Sequence, residues 1–172
     1  MCIRDRDTDV KNNKNPDLNN YQFVGVEAQL YGFEVSVEQQ FFNNFLLKSS
    51  MNYTVGQQNV SVSNSNQVPL PLIPPLALKS SIKYSRNSFS IGSRLTFNAT
   101  QNELGEFETL TESFVLLDGF ASLRIHSGEL LHTLSFNVTN VTNVTYRNHL
   151  SIIKDLNPEA GRNFSLLYRL YF

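Results

Sequence analysis

The sequence predicts an all-β fold: about seven long antiparallel strands in an open, curved sheet that is a fragment of a transmembrane β-barrel. From Tyr21 onward apolar and polar residues alternate, and helical spacing is absent. Most alternating segments run for about ten residues, against ~5–6 for average strands and ~9–11 for strands that cross a bilayer. Short and long connections alternate along the chain, as in outer-membrane barrels.

Composition narrows the class further. The chain has 172 residues, of which 41% are hydrophobic and 17% charged, below the usual share of ~25%. In place of charge it has 20 Asn and 18 Ser. The net charge of −1 argues against nucleic acid as a partner. A single Cys excludes an internal disulfide framework and a Cys-based zinc site, and no run of ~18 apolar residues predicts a transmembrane helix.

Residues 1–20 differ from the rest of the chain. They are polar, have no period of 2 or 3.6, and include the loop-like run 11–17. Residues 1–6 resemble a translated adapter scar, so we expect 1–20 to be a disordered or artefactual leader and 21–172 to be the barrel segment. No signal peptide is present, although an exported protein needs one. Either the chain is cytosolic or its start is missing, and the adapter-like residues 1–6 favour a natural protein that begins upstream.

Each strand is predicted from an apolar row at alternate positions. In chain order the rows are Phe33, Val35 and Val37; Phe45, Leu47, Met51, Tyr53 and Val55; Leu76, Leu78, Ile82 and Tyr84; Phe89, Ile91, Leu95, Phe97 and Ala99; Val115, Leu117, Ala121, Leu123 and Ile125; Leu134, Phe136 and Val138; and Phe164, Leu166, Tyr168, Leu170 and Phe172. Upstream of Gly32 the apolar residues have the other parity, which predicts a β-bulge there.

The connections and the aromatic residues agree with a barrel. Tight turns are predicted at 43–44, 86–87 and 127–129, and long loops at 56–75, 101–112 and 142–161. Two aromatic bands are expected, as at the two membrane interfaces. Beside the tight turns or the terminus lie Phe41, Phe42, Phe45, Tyr84, Phe89 and Phe172, and toward the long loops lie Tyr53, Phe97, Phe114 and Phe164. The opposite rows are mostly Ser, Thr and Asn, which suits a hydrated lumen packed against another polar body.

Several short segments have a recognisable order. Phe114–Asp118 starts a strand with an aromatic residue and a Leu-rich stretch, Asn140–Asn143 is followed by Tyr146-Arg147, and Pro158–Asn163 leads into a last strand that ends in Phe. Upstream lie Leu30–Glu34 and the Pro-rich run Pro69–Pro75. In this order and spacing, over about residues 21–172, the chain resembles the C-terminal end of TonB-dependent outer-membrane receptors. Val141 and Thr142 depart from the Leu and Phe common in that family.

The resemblance implies a barrel of 22 strands around an N-terminal plug, with a TonB box ahead of the plug. Neither is found in this chain, whose seven strands correspond to the last third of such a barrel. The implied function is TonB-coupled uptake of a scarce nutrient across the outer membrane of a Gram-negative bacterium, without a cofactor. The ligand stays open among siderophore, haem, metal ion, cobalamin and oligosaccharide. The expected partners are outer-membrane lipid, a small-molecule ligand and, through the missing N-terminal region, the TonB complex.

The last strand has a further implied role. Its apolar row, Phe164, Leu166, Tyr168, Leu170 and Phe172, is the kind of C-terminal signal that the barrel-assembly machinery reads, by strand addition at an exposed edge. The same row also serves simply as a lipid-facing surface.

Chemistry-bearing residues are few. His126 and His132 flank a tight turn and would need a third ligand such as Glu129 to bind a metal, so no metal site is predicted. In the third long loop, Arg147, His149 and Arg162 are candidate ligand contacts, although a hydrogen bond that orders the loop is an equal reading of His149. Asn-x-Ser/Thr sequons mostly fall inside strands and reflect composition rather than glycosylation.

Two other classes of protein are alternatives. A small structural or adhesive barrel would need an even strand count, a signal peptide and a closing first strand, none of which is visible. An outer-membrane lipase or protease would need a catalytic set, and the sequence has no nucleophile elbow, Ser-His-Asp order or phosphate loop. We therefore expect no enzyme and no catalytic residue.

Overall fold

The computed structural model of the chain describes residues 2–7, 21–59, 67–105 and 108–172. Its elements are ten strands, and within the described residues there is no helix. In chain order they are β1 (Cys2–Asp7), β2 (Tyr21–Val26), β3 (Ala28–Phe41), β4 (Phe45–Asn59), β5 (Gln67–Pro69), β6 (Ala77–Arg86), β7 (Phe89–Asn98), β8 (Phe114–Ser127), β9 (Leu130–Thr139) and β10 (Asn163–Tyr171). In the described residues no helix is long and apolar enough to cross a membrane.

Seven long strands form one open antiparallel sheet in the order β10-β9-β8-β7-β6-β4-β3. Long strands that follow one another in the chain are neighbours in the sheet, and the short β5 pairs with the end of β4. The strands run from 9 to 15 residues. The all-β class and the seven predicted strands are confirmed, and the open sheet, with edges at β3 and β10, is consistent with a barrel fragment.

Apart from Phe42, whose φ is 46°, the left-handed positions of the short turns carry residues that tolerate this backbone. Asn43, Asn87 and Gly128 have φ of 58°, 50° and 62°. Asn and Gly adopt this conformation at lower cost than other residues, so they allow the chain to reverse within two or three positions. These turns therefore set the register of the hairpins β3–β4, β6–β7 and β8–β9.

The predicted bulge near Gly32 is wrong. Pairing between β3 and β4 runs without a break from Ala28–Gln58 to Phe41–Phe45, and the interruption falls at Glu27, between β2 and β3. Gly32 instead permits a close approach between β3 and β4. A Cβ at this position would press against the carbonyl oxygen of Tyr53 and lie 3.0 Å from the Thr54 Cα.

Two short elements lie outside the seven predicted strands. β5 extends the edge of β4 within the first long loop, and β1 pairs with β2 as a separate two-stranded sheet. The second pairing lies in and next to the predicted leader, whose residues 1 and 8–20 are outside the described part of the chain. That residues 1–20 are a disordered or artefactual leader therefore stays a prediction.

The described residues contain almost no hydrophobic core. Ala77 is the single hydrophobic residue among them that is buried. The reason is architectural, since a single sheet has no second layer of secondary structure against which to pack. Within the described residues, the apolar side chains of the sheet therefore have no second layer to cover them.

Candidate functional site: two sheet faces and a loop cluster

One face of the sheet is apolar across all seven long strands. Directly paired residues share a face, so the register can be followed from strand to strand, as in the row Val35, Met51, Leu78, Phe97 and Val115. Many of these side chains are exposed, including Val35 at 51% and Val115 at 48%. We call this surface the apolar face. It extends over seven strands, whereas water-soluble monomers usually expose at most a few hundred Å² of contiguous apolar surface.

Two serine hydroxyls on the apolar face pair with each other. Ser49 and Ser80 are cross-strand neighbours, and their Oγ atoms lie 2.9 Å apart. A hydroxyl in an apolar environment needs a partner, and this pairing supplies one for both residues. The two serines therefore interrupt the apolar rows without leaving a polar group unsatisfied.

The opposite face, the polar face, carries all but one of the charged side chains of the seven long strands. Its described strands hold six cations and three anions, which gives a net charge of +3 although the whole chain has −1. The cations are Lys48, Lys79, Lys83, Arg94, Arg124 and Arg169, and the anions are Glu34, Glu38 and Asp118. Lys48 Nζ donates to Glu38 Oε2 at 2.8 Å, and Arg94 Nη1 lies 3.8 Å from Asp118 Oδ2. The remaining charge faces whatever occupies this side.

Aromatic residues lie at both ends of the strands, with one correction to the predicted bands. Phe45 and Tyr84 pair beside the short turns with ring centroids 4.9 Å apart, and Phe136 and Phe164 stack toward the long loops at 6.4 Å. Phe114 lies at the predicted end, but its parity places it on the polar face. There it packs on Tyr146 of the third long loop, at 4.6 Å.

The three long loops meet at the end of the sheet opposite the short turns. Glu108 of the second loop (99–113) accepts hydrogen bonds from the backbone N–H of Leu72, at 2.6 Å, and of Gly105, at 2.8 Å. Gln101 Nε2 donates to the Ile73 carbonyl at 2.9 Å. These contacts tie the first loop (60–76) to the second. We call the joined loops, together with the third (140–162), the loop cluster.

A buried lysine ties the third loop to the second. Lys154 is 6% exposed, and its Nζ donates to Thr109 O at 2.7 Å, to Thr111 Oγ1 at 2.9 Å and to His149 Nδ1 at 3.1 Å. All three ammonium hydrogens therefore have an acceptor, which is the condition for burying a lysine at tolerable cost. Thr109 Oγ1 also donates to Asp155 Oδ1 at 2.7 Å.

His149 lies inside this arrangement and is 2% exposed. Since Nδ1 accepts from Lys154, the neutral ring carries its proton on Nε2, which lies 3.7 Å from Glu108 Oε1 and makes no hydrogen bond to the described residues. Burial lowers the pKa of His149, the Lys154 charge lowers it further, and Glu108 opposes the shift. His149 therefore acts as a neutral acceptor that orders the loops.

Asn140 organises the start of the third loop. It is 3% exposed with a φ of 51°, its Oδ1 accepts from Val144 N at 2.9 Å, and its Nδ2 donates to Val144 O at 2.8 Å. Its own N–H donates to Asp118 Oδ1 at 2.9 Å. Beyond the end of β9, the Asn140 side chain therefore supplies the backbone hydrogen bonds that a neighbouring strand supplies within the sheet. The sequence predicts a turn at 140–143 but no role for Asn140 itself.

Tyr146 lies further along the same loop. Burial raises its pKa, with Glu159 and Asp118 adding to the shift. Its carbonyl accepts from Glu159 N at 2.9 Å, so the middle of the third loop is tied to the segment that leads into β10.

The predicted ligand contacts lie in the third loop, but in two places. Arg147 donates to the Lys154 carbonyl, so Arg147 and His149 both contact Lys154. Arg162 stands apart at the start of β10, where its backbone N–H donates to Asn143 Oδ1 at 2.9 Å. Their role as ligand contacts stays a prediction.

The two hairpin histidines do not converge. His126 pairs with Leu131 and His132 with Ile125, which places the two rings on opposite faces of the sheet. His132 Nδ1 instead lies 2.7 Å from the Tyr168 hydroxyl. In the described part of the chain no group of three His, Cys, Asp or Glu residues is placed to hold a metal ion.

The terminal row of β10 lies on the apolar face at one edge of the sheet. Its side chains are all well exposed, from 44% for Leu170 to 101% for Phe172. β10 pairs only with β9, so its other edge is open. This is the geometry that strand addition requires, and the role of Phe164, Leu166, Tyr168, Leu170 and Phe172 as an assembly signal stays a prediction.

Comparisons with known proteins support the fold. No family model matches the chain, and no curated protein matches it. Among solved structures it is similar to a protein described as "Copper transporter OprC", with a TM-score of 0.73 and 24% identity over 85% of this chain. The chain spans 24% of the length of that transporter. The likeness shows that this sheet is an arrangement found within a larger known protein.

Proposed function

We propose that residues 21–172 are the C-terminal strands of an outer-membrane β-barrel, the wall of a TonB-dependent receptor that takes up a scarce nutrient. The observation that carries this proposal is the apolar face, which covers seven long strands and is exposed in the chain alone. The likeness in fold to part of a transporter supports it.

Lipid is the environment that such a face requires. Burying one large aliphatic or aromatic side chain is worth about 1.5–3 kcal/mol, and every long strand presents several. A hydrocarbon bilayer also excludes open strand edges, because unpaired N–H and C=O groups cost several kcal/mol each there. The edges at β3 and β10 are therefore expected to pair with other strands of the same barrel, which the length of the similar transporter accommodates.

The polar face would then line the lumen. Its excess of cations favours an occupant with carboxylates on its surface. In the proposed receptor the occupant is the plug, which precedes this segment in the chain and connects to the TonB complex. Energy from the inner membrane would reach the barrel through that region.

The loop cluster would face the outside of the cell, because short turns face the periplasm in barrels of this kind. Its buried Lys154 and His149 hold the loops in one arrangement, and Arg147 is our candidate for contact with the ligand, because Arg162 precedes the β10 row with the parity of the apolar face. The C-terminal row ending in Phe172 would be read by the barrel-assembly machinery.

Membrane placement is tested with two neighbouring residues on opposite faces. Leu95 is on the apolar face and Thr96 on the polar face, near the middle of β7. In the full-length protein we expect Leu95→Arg to destabilise the barrel by about 2–4 kcal/mol, while Thr96→Arg has little effect. The measurement is urea unfolding in lipid vesicles, with heat-modifiable gel migration as the test of folding. If Leu95→Arg and Thr96→Arg destabilise the barrel equally, the apolar face of β7 does not face lipid.

Transport is tested in the native bacterium. A strain that lacks the gene should lose uptake of one compound from a labelled panel of ferric siderophore, haem, Cu²⁺, cobalamin and oligosaccharide, and a strain without TonB should lose the same uptake. Re-expression of the full-length protein should restore uptake, and re-expression of a form without residues 21–172 should not. Uptake that persists without TonB would refute the energy-coupled mechanism and leave membrane placement intact.

A further inference from the structure

The apolar face has a groove across β7, β8 and β9. Gly119 lies on this face, and a Cβ built there would meet no atom within 4 Å. The residue paired with it on β7 is Ser93, which is also small. Larger apolar side chains border the gap, namely Ile91, Phe136, Val138 and Phe164. The result is a groove of about 350 Å³.

Arg162 lies at the loop end of this groove. The apolar row of β10 occupies even positions, from Phe164 to Phe172, and Arg162 precedes that row with the same parity. Its backbone is held by Asn143, and among the described residues no carboxylate forms an ion pair with its guanidinium. A cation therefore sits at one mouth of an apolar groove, without a partner from the described chain.

We infer that this groove is a binding site for one anionic lipid of the outer leaflet, with an acyl chain along Gly119 and the phosphate on Arg162. The inference rests on the proposed membrane placement. The apolar walls match a hydrocarbon chain, and a guanidinium binds phosphate through two parallel hydrogen bonds. The pairing places the charge at the loop end, where a lipid of the outer leaflet carries its headgroup. A side chain from a second copy of the protein would fill the groove but leave Arg162 without an anion.

The site is tested by native mass spectrometry on the delipidated full-length protein, titrated with phosphatidylglycerol and, separately, with uncharged diacylglycerol. Gly119→Leu should weaken binding of both lipids about tenfold, the loss expected when roughly two methylenes leave the groove. Arg162→Gln should weaken phosphatidylglycerol about fivefold and leave diacylglycerol unchanged. Gln39→Leu adds an apolar side chain to the same face away from the groove, and Arg86→Gln removes a cation at the short-turn end, so both controls should bind as the parent does.

The outcomes separate this inference from the proposed function. If the parent barrel folds in vesicles and Leu95→Arg disrupts it, but Gly119→Leu and Arg162→Gln bind lipid normally, the lipid site is refuted and membrane placement stands. A dimer mass that disappears in Gly119→Leu would assign the groove to a second copy and also refute the lipid site. Gly119→Ala, a smaller change, should give an intermediate loss if Gly119→Leu does not fold. If the parent does not enter vesicles, the proposed function fails first.

Discussion

Replacing Lys154 with methionine tests whether the loop cluster is one cooperative unit. The change keeps much of the aliphatic stem and removes the three hydrogen bonds from Nζ to Thr109 O, Thr111 Oγ1 and His149 Nδ1. Hydrogen bonds from a charged donor contribute about 1.5–3 kcal/mol each, and the desolvation of a buried ammonium offsets part of their sum. We expect a net loss of about 3 kcal/mol in the local free energy of opening.

Hydrogen exchange reads this free energy residue by residue. The reporters are the amides of Gln101 and Thr111, which bond to each other's carbonyls at 2.9 and 3.2 Å, and of Ser151, which bonds to Asn148 O at 3.0 Å. A loss of about 3 kcal/mol should speed their exchange roughly a hundredfold, provided that they exchange by local opening. Amides in the middle of β7 and β8 should not change, because the sheet does not need the loops to remain paired.

The matched control is Lys79→Met, which removes an exposed lysine from the polar face. It should leave the three reporter amides as they are in the parent. Two results would refute the reasoning. Unchanged exchange in Lys154→Met would mean that the buried lysine does not hold the loops together, and a uniform increase over the whole sheet would mean that the cluster is no separate unit.

Three further predictions concern the loops and the terminus. The pKa of His149 is lower in the folded loops than in the unfolded loops, so the unfolded loops bind more protons between the folded pKa and about 6.5. The loop cluster is therefore fully stable above this pH window and loses stability as the pH falls through it. The reporter amides, corrected for intrinsic rates, should exchange faster at low pH, and a His149→Gln variant that keeps this dependence would contradict the assignment. Asn140→Gly retains the left-handed backbone but loses both hydrogen bonds to Val144, so proteolysis should show that the third loop is about 2 kcal/mol less stable. Asn140→Ala should destabilise the loop more, because alanine tolerates a positive φ less well than glycine. Phe172→Ala should lower the amount of heat-modifiable barrel in the outer membrane without changing total synthesis, and unaltered assembly would count against the terminal signal.

Much of the sheet could be predicted because the side-chain period of a strand is local. Alternation at Phe45–Val55 or Phe89–Phe97 states which residues share a face, whatever the neighbours are. Tight turns between such segments then leave antiparallel pairing of consecutive strands as the simplest topology. The structure confirms these faces, and the apolar rows of adjacent strands meet in register.

The bulge near Gly32 was a wrong prediction for an instructive reason. The change in parity predicts an inserted residue, but the structure places Leu30 on the polar face and interrupts the strand at Glu27. Parity in the sequence cannot distinguish a bulge from a hydrophobic residue on the polar face. That distinction depends on which partner lies opposite, so it requires the paired strand.

The amino-acid pattern alone determined the strands, their two faces and the ends at which turns are short, because each depends on residues near one another in the chain. Only the tertiary structure decided how the loops are arranged and which of their residues meet. It buried His149 against Lys154, set Glu108 between two loops, separated His126 from His132 and left a groove at Gly119. Hydrogen bonds between the loops join residues as much as 46 positions apart, as in the bond from Thr109 to Asp155. Such contacts form only when the sheet brings the loop ends together, so no local period encodes them.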